Sequence, residues 1–265
     1  MSFSKSKKIQ NASVLDLRNV STTLDELPVL KSVSFTVRKG EFVTILGPSG
    51  CGKSTLLHIV GGLKDPTSGT VLLEGKKVSR IGKFGYMPQS STLLPWRTVR
   101  KNVAVGLEIK HFSVRESSEK ATEMLRAFDL EQFAEYYPAA LSGGMRQQVA
   151  LLRTILFNNA FLLLDEPFGS LDALTRFSLQ LWLLRMRKKY ESTVLFVTHD
   201  IREAIFLSDR ILVMSHRPGT IIADITVQHD GPRDYSWLKT ARARQLEEKL
   251  LTYFFKQDSE LYASE

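Results

Sequence analysis

Gly47-Pro48-Ser49-Gly50-Cys51-Gly52-Lys53-Ser54-Thr55 decides the fold. It follows the apolar run Phe42-Val43-Thr44-Ile45-Leu46 and leads into Leu56-Leu57-His58-Ile59-Val60, which Gly61-Gly62 closes. The spacing G-x-x-x-x-G-K-S, between a strand pattern and a helix pattern, is that of a phosphate-binding loop. Its glycines let backbone N–H groups converge on an anion without interference from Cβ atoms. The helix that follows turns its partly positive N-terminus toward the same point. Lys53 adds a full charge for the β- and γ-phosphates, and Ser54 offers a hydroxyl to Mg²⁺. The whole stretch from Gly47 to Thr55 is therefore assigned to a nucleotide site.

Outward from the loop, the chain reads as strands alternating with helices. Val14–Leu17, Val33–Val37 and Thr70–Leu73 read as strands, the second joined to Phe42–Leu46 by the turn Arg38-Lys39-Gly40. From about residue 90 to 158, helical spacing takes over, with Val99, Val103 and Leu107, then Ala121, Met124, Leu125 and Phe128. Strand patterns return at Phe161–Asp165, Thr193–Thr198 and Arg210–Met214, with a long helix from Leu171 to about Tyr190. Apolar strands alternating with helices predict a parallel sheet covered on both faces. The stretch from Asp234 to Phe255 predicts one or two amphipathic helices docked on the body.

Four further points carry chemistry. Phe161-Leu162-Leu163-Leu164-Asp165-Glu166 delivers two carboxylates at the C-terminal end of a buried strand, where open α/β sheets place their ligands. Neighbouring strand residues point opposite ways, so Asp165 is assigned to Mg²⁺ through water and Glu166 to polarising the attacking water. Phe196-Val197-Thr198-His199 ends a third strand in an imidazole that can hydrogen-bond the γ-phosphate. Gln89, where the sheet gives way to the helical stretch, can reach Mg²⁺ or the water with its amide. The stretch Leu141-Ser142-Gly143-Gly144-Met145 then supplies a second anion-binding helix start, with Ser142 as N-cap and Gly143 and Gly144 permitting close approach. One nucleotide needs one such start. The simplest resolution is a dimer in which Ser142 faces the nucleotide of the other subunit.

Composition bounds the rest. The 265 residues are 43% hydrophobic and 24% charged, ordinary for a globular protein. No run nears the roughly 18 apolar residues that span a bilayer. Met1–Gln10 carries Lys5, Lys7 and Lys8 without a following apolar stretch, so no secretory leader is expected, and residues 1–12 read as a disordered tail. The one cysteine, Cys51, fits a reducing compartment and a structural place in the loop. A net charge of +8 suits an anionic ligand or surface. Without zinc spacing or an aromatic-basic RNA motif, no nucleic-acid partner is expected.

In order along the chain, these motifs resemble the ATP-binding subunits of ABC transporters. The likeness runs from about residue 13 to 228 and covers Walker A (Gly47–Thr55), the Q-loop (Gln89), the signature (Leu141–Met145) and Walker B (Phe161–Asp165) with Glu166. It continues through the D-loop (Ser170-Leu171-Asp172) and the switch histidine (His199). The texture is similar to the bacterial nitrate/sulfonate/taurine importer subfamily. The resemblance implies an α/β, P-loop NTPase fold of ABC type. That fold has a mainly parallel sheet core, an N-terminal antiparallel β subdomain and a helical signature subdomain. It implies an ATPase domain over 13–228, its helical part at about 90–158, and a C-terminal helical extension over 229–265. It further implies ATP and Mg²⁺ as ligands, the metal held through Ser54, Gln89 and Asp165. Ser142, Gly143, Gly144 and Asp172 would act in trans within a homodimer or a heterodimer with a related subunit. The other implied partners are a membrane permease and, indirectly, a periplasmic or lipoprotein solute-binding protein. The implied place is the cytoplasmic face of the bacterial inner membrane. The rivals are a non-transport ABC ATPase of nucleic-acid repair or translation, and the motor of an exporter. The chain departs from the family pattern at Thr22-Thr23-Leu24, where an adenine-stacking aromatic is usual. It departs again at Met145 and Gln148, and in a short Gly75–Gly85 segment.

Overall fold

The computed structural model describes residues 13–169, 171–229 and 233–262; the tail expected over 1–12 lies outside them. The chain forms two compact units, residues 1–81 with 193–265, and residues 82–192.

The first unit opens with two long strands, β1 (Ser13–Leu24) and β2 (Leu27–Arg38), paired antiparallel. Both are much longer than the sequence pattern predicts. Four register shifts break the alternation on which a strand reading depends, three of them between Leu17 and Thr23. β3 (Phe42–Leu46) is buried throughout and feeds the phosphate loop, which opens helix α1 (Lys53–Gly61). β4 (Ser68–Leu73) returns antiparallel beside β1, giving a three-stranded sheet in the order β2-β1-β4.

The second unit begins with a three-residue strand, β5 (Gly85–Met87). Helices α2 (Val99–Ile109), α3 (Val114–Arg126) and α4 (Gly143–Phe157) follow. Their apolar faces meet in a core of Val99, Val103, Ala121, Leu125, Val149 and Leu152. Phe128 lies just past the end of α3, yet still packs on this core. Asn102, fully buried, shapes the approach to α2. Its amide donates to the Leu94, Arg97 and Thr98 carbonyls at 3.1, 3.0 and 3.1 Å and accepts from the Leu94 N–H at 2.8 Å. α2 and α4 cross where Gly106 leaves no room for a side chain: a Cβ there would stand 2.6 Å from the Phe157 Cβ and 2.7 Å from its Cα. β6 (Phe161–Asp165) runs parallel to β5, pairing Met87 with Leu164. α5 (Ala173–Tyr190) starts two residues later than predicted, because Asp172 is its N-cap.

The chain then re-enters the first unit. β7 (Thr193–Thr198) lies parallel to β3, with Leu46 opposite Thr198, so both strands end at one level. Helix α6 (Ile201–Leu207) follows, then β8 (Arg210–Met214) on the other side of β3, also parallel. β9 (Ile221–Thr226) pairs antiparallel on the outer side of β8. The C-terminal stretch folds as one 3₁₀ turn, Trp237–Lys239, and one helix, α7 (Ala241–Tyr262). Trp237, Ala243 and Leu250 enter a core with Leu46, Ile205, Ile211 and Val213. The expected docking of this stretch is present, and it reaches the residue that precedes the phosphate loop. No helix among the described residues is long and apolar enough to cross a membrane.

Candidate functional site

In the first unit the phosphate loop connects β3 to α1. Gly52, the N-cap of α1, stands at φ 107°, and Gly50 at φ 77°. A Cβ on Gly52 would lie 2.9 Å from Leu30 Cδ2 and 3.2 Å from the Val29 carbonyl, so only glycine fits there. A Cβ on Gly47 would approach Cys51 Sγ at 3.0 Å and the Met214 carbonyl at 3.1 Å, whereas one on Gly50 meets nothing within 4 Å. The loop is thus packed from behind and open in front, a nest of backbone N–H groups at a helix start. Cys51 belongs to the packed side and is buried. Lys53 is buried, its ammonium donating to the Gly47 and Pro48 carbonyls at 2.8 and 2.7 Å. Pro48, Ser54 and Thr55 are half-buried, and Ser49 is exposed.

His199 follows directly on β7, whose last residue is level with the end of β3. The ring is exposed, and the backbone beneath it is tightly held. Thr198 Oγ1 donates to Glu203 at 2.8 Å and accepts from the Asp200 N–H at 3.0 Å. Asp200 caps α6 through the Arg202 and Glu203 N–H groups. The first unit therefore brings His199 and the phosphate loop to the same end of neighbouring strands.

The second unit collects the carboxylates and the amide. Asp165 ends β6 and is buried, while Glu166 is half-buried at φ 46°. A non-glycine residue in the left-handed region costs about 1–3 kcal/mol, strain that clusters where chemistry needs one fixed geometry. Gln89 lies at the edge of this group, its amide Nε2 donating to Glu166 Oε2 at 3.5 Å. On β5, burial first and the Asp165 carboxylate second push the Tyr86 phenol above its ordinary range. Two assigned residues, Gln89 and Glu166, are thus in contact, with the strand pairing of β5 and β6 setting their approach.

The other assigned residues of this unit are helix starts. Ser142 caps α4, its Oγ accepting from the Met145 N–H at 3.2 Å, as the sequence predicts. Ser142 and Gly143 are exposed and Gly144 is half-buried. Asp172 is exposed and caps α5, accepting from the Leu174 and Thr175 N–H groups at 3.1 and 3.0 Å. The Thr175 side chain, then its backbone, hold the Asp172 carboxyl below its ordinary value. Ser170 lies outside the described residues.

Comparison with known proteins identifies the family. A model described as ABC transporter matches residues 30–169, more than half of the chain. The chain belongs to the ABC transporter family. It is 43% identical over 228 residues to the aliphatic sulfonates import ATP-binding protein SsuB of Bacillus thuringiensis, covering 85% of this chain and 88% of the relative. To the nitrate import ATP-binding protein NrtD of Synechocystis it is 39% identical over 233 residues, with 88% and 86% covered. A dimeric ATP-binding cassette solved in a post-hydrolysis state with ADP and Pi superposes with a TM-score of 0.74 at 32% identity, covering 81% of this chain and 99% of that one. The chain is thus an ABC-type ATPase that binds ATP.

Within this ATPase, several supporting residues were not visible from the sequence. Met214 and Gly219 press on the loop from behind: a Cβ on Gly219 would stand 2.3 Å from the Cys51 carbonyl. Gly219 in turn donates to the Val29 carbonyl at 2.8 Å and accepts from the Lys31 N–H at 3.0 Å, tying the β8–β9 connection to β2. No sequence signal links residue 219 to residue 51. The stretch without an aromatic, Thr22-Thr23-Leu24, ends β1 with Thr22 buried and Leu24 half-buried, ahead of Asp25 and Glu26 at φ 45° and 68°. Among the described residues no group of three or more His, Cys, Asp or Glu is arranged to hold a metal. The hydroxyl of Ser54, the amide of Gln89 and the carboxylate of Asp165 are oxygen donors of the kind a hard cation such as Mg²⁺ takes alongside water and phosphate.

Proposed function

We propose that this chain is the motor subunit of an importer that takes up a small solute of the nitrate or sulfonate class through a separate membrane permease. The observation that carries the hydrolytic half is the Gln89–Glu166 contact at the C-terminal end of β6, with Glu166 in a strained backbone. The import half rests on likeness to the SsuB and NrtD import subunits. The ATPase domain spans 13–228, with a helical part at about 90–158 and a C-terminal extension over 229–265.

The backbone N–H groups of Gly47–Thr55 and the Lys53 ammonium hold the β- and γ-phosphates, pre-paying the orientation of the reacting group. Glu166 orients a water molecule in line with the γ-phosphorus and accepts hydrogen bonding from it, and Gln89 steadies the same water. As the water oxygen bonds to phosphorus, its proton passes to the Glu166 carboxylate, the bond to the β–γ bridging oxygen breaks, and ADP and phosphate leave. His199 donates to a γ-oxygen on which charge develops. Mg²⁺, held through Ser54, Gln89 and Asp165, would neutralise charge on the β- and γ-oxygens. Ser142, Gly143, Gly144 and Asp172 complete the site of a second subunit in a homodimer or a related heterodimer. The assembly sits on the cytoplasmic face of the cell membrane beneath the permease, which a solute-binding protein supplies.

Glu166→Gln tests the reading. The variant should bind ATP within about threefold of the wild type and lose hydrolysis by roughly 100-fold or more, the size of effect general-base loss brings. Wild-type turnover in Glu166→Gln would refute the assignment. Import is tested by deleting the gene in its host and measuring growth on sulfonate or nitrate as sole sulfur or nitrogen source. Unchanged growth on both would overturn the solute class.

A further inference from the structure

The segment that carries Gln89 has no helix or strand of its own from Pro88 to Thr98. It is nevertheless held in one shape from α4, the helix that Ser142 starts. The Arg153 guanidinium donates through Nη1 to the Thr92 carbonyl at 2.9 Å. Through Nη2 it donates to the Ser91 carbonyl at 3.1 Å and to Thr92 Oγ1 at 3.0 Å. Thr92 stands at φ 41°, a β-branched residue in the left-handed region, which persists only where the surroundings impose it. Asn158, the C-cap of α4, donates through Nδ2 to the Lys83 carbonyl at 2.8 Å, while the Thr154 hydroxyl, which donates to the Ala150 carbonyl at 2.9 Å, lies 3.4 Å from the Tyr86 carbonyl. α4 therefore grips the chain before Gln89 and after it.

Arg153 makes no salt bridge with any of the described residues. Burial alone acts on it, pulling the guanidinium below its ordinary value, and a carboxylate neighbour would push the other way. A half-buried cation is kept for two carbonyls and one hydroxyl of a single loop. The planar fork suits that task, since it can reach several acceptors from one fixed position.

We propose that Arg153 is the positioning residue for Gln89: it ties Ser91 and Thr92 to the signature helix, so the place of that helix sets how the Gln89 amide meets Glu166. The inference rests on the reading of Gln89 and Glu166 given above. Arg153 touches neither of them and is no catalytic residue. Its consequence is that the Ser142 end of α4 and the Gln89 amide shift together.

The test is a double-mutant cycle on the full chain, with steady-state hydrolysis of Mg-ATP as the readout. Arg153→Met should lower kcat about tenfold with KM within about twofold, and Arg153→Lys should recover part of the loss. In a Gln89→Ala background, Arg153→Met should cost less than about twofold, because the amide it positions is gone. Equal factors in both backgrounds, or an effect confined to KM, would overturn the proposal while leaving Gln89 in place. A Gln89→Ala enzyme at the wild-type rate would overturn the reading of Gln89 and this inference with it. Should Arg153→Met fail to fold, Arg153→Lys carried through the same cycle decides.

Discussion

Gly106→Ala sets two effects of known size against each other. In the middle of a helix, alanine is favoured over glycine by about 0.8–1.0 kcal/mol, so on propensity alone the change stabilises α2. Gly106 is buried in α2 without a left-handed backbone, so no strain enters from φ. Packing opposes the gain. The added Cβ would lie 2.6 Å from Phe157 Cβ and 2.7 Å from Phe157 Cα, distances that ordinary Cβ atoms do not show, and a tight 3.1 Å from Phe157 N. Two of these three atoms are backbone, so no rotamer change relieves the contact and the two helices must separate. Overpacking of a formed core costs about 1–3 kcal/mol, and a backbone clash belongs at the upper end. The net expectation is a loss of about 1–2 kcal/mol, or roughly 2–4 °C in Tm for a chain of this size. Thermal melting monitored by circular dichroism measures the shift. Phe157→Ala should not rescue the variant, because the Cα and N of residue 157 remain. A Gly106→Ala protein as stable as the wild type or more so, or one restored by Phe157→Ala, would refute the reasoning.

Other expectations are simpler. Leu250 is fully buried in the core that docks α7, so Leu250→Ala should cost about 2–5 kcal/mol, seen as a lower Tm; an unchanged Tm would show that the helix is not docked as described. Ser113 and Glu116 form a capping box at the start of α3, and Ser113→Ala should cost about 1 kcal/mol, measured by denaturant titration. The hydrogen bonds from Ser113, side chain first and backbone second, hold the Glu116 carboxyl below its ordinary 4.5. A depressed carboxyl stabilises above its unfolded value, so the gap between wild type and Ser113→Ala should be full above about pH 4.5. It should narrow as pH falls through the lowered value. A gap that widens on acidification would reverse the sign of that linkage.

How much of this was legible in the sequence depended on how far apart the cooperating residues lie. The phosphate loop, its strand and its helix could be read outright, because cradling a phosphate uses consecutive backbone N–H groups and one nearby lysine. β3, β6, β7 and β8 were equally plain, since strands buried on both faces are unbroken apolar runs. Ser142 as a cap was visible because a cap acts on an N–H three residues away. Other elements left no such mark. β5 has three residues, too few to show a period, and the seven of α6 complete barely two turns. The length of β1 and β2 was hidden by register shifts that break alternation while pairing continues.

Only the tertiary structure brought together residues that no local pattern connects. Gly219 against Cys51, Gly106 against Phe157, and Arg153 on Ser91 and Thr92 are contacts between segments separated by some fifty residues or more. Composition at either end of such a contact is ordinary: a glycine in a turn, a glycine in a helix, an arginine among apolar residues. Which chemistry the chain performs was set by groups that act along a few consecutive residues, and those stand in the sequence itself. How firmly those groups are held was set by close approach between distant segments, and close approach exists only once the chain has folded.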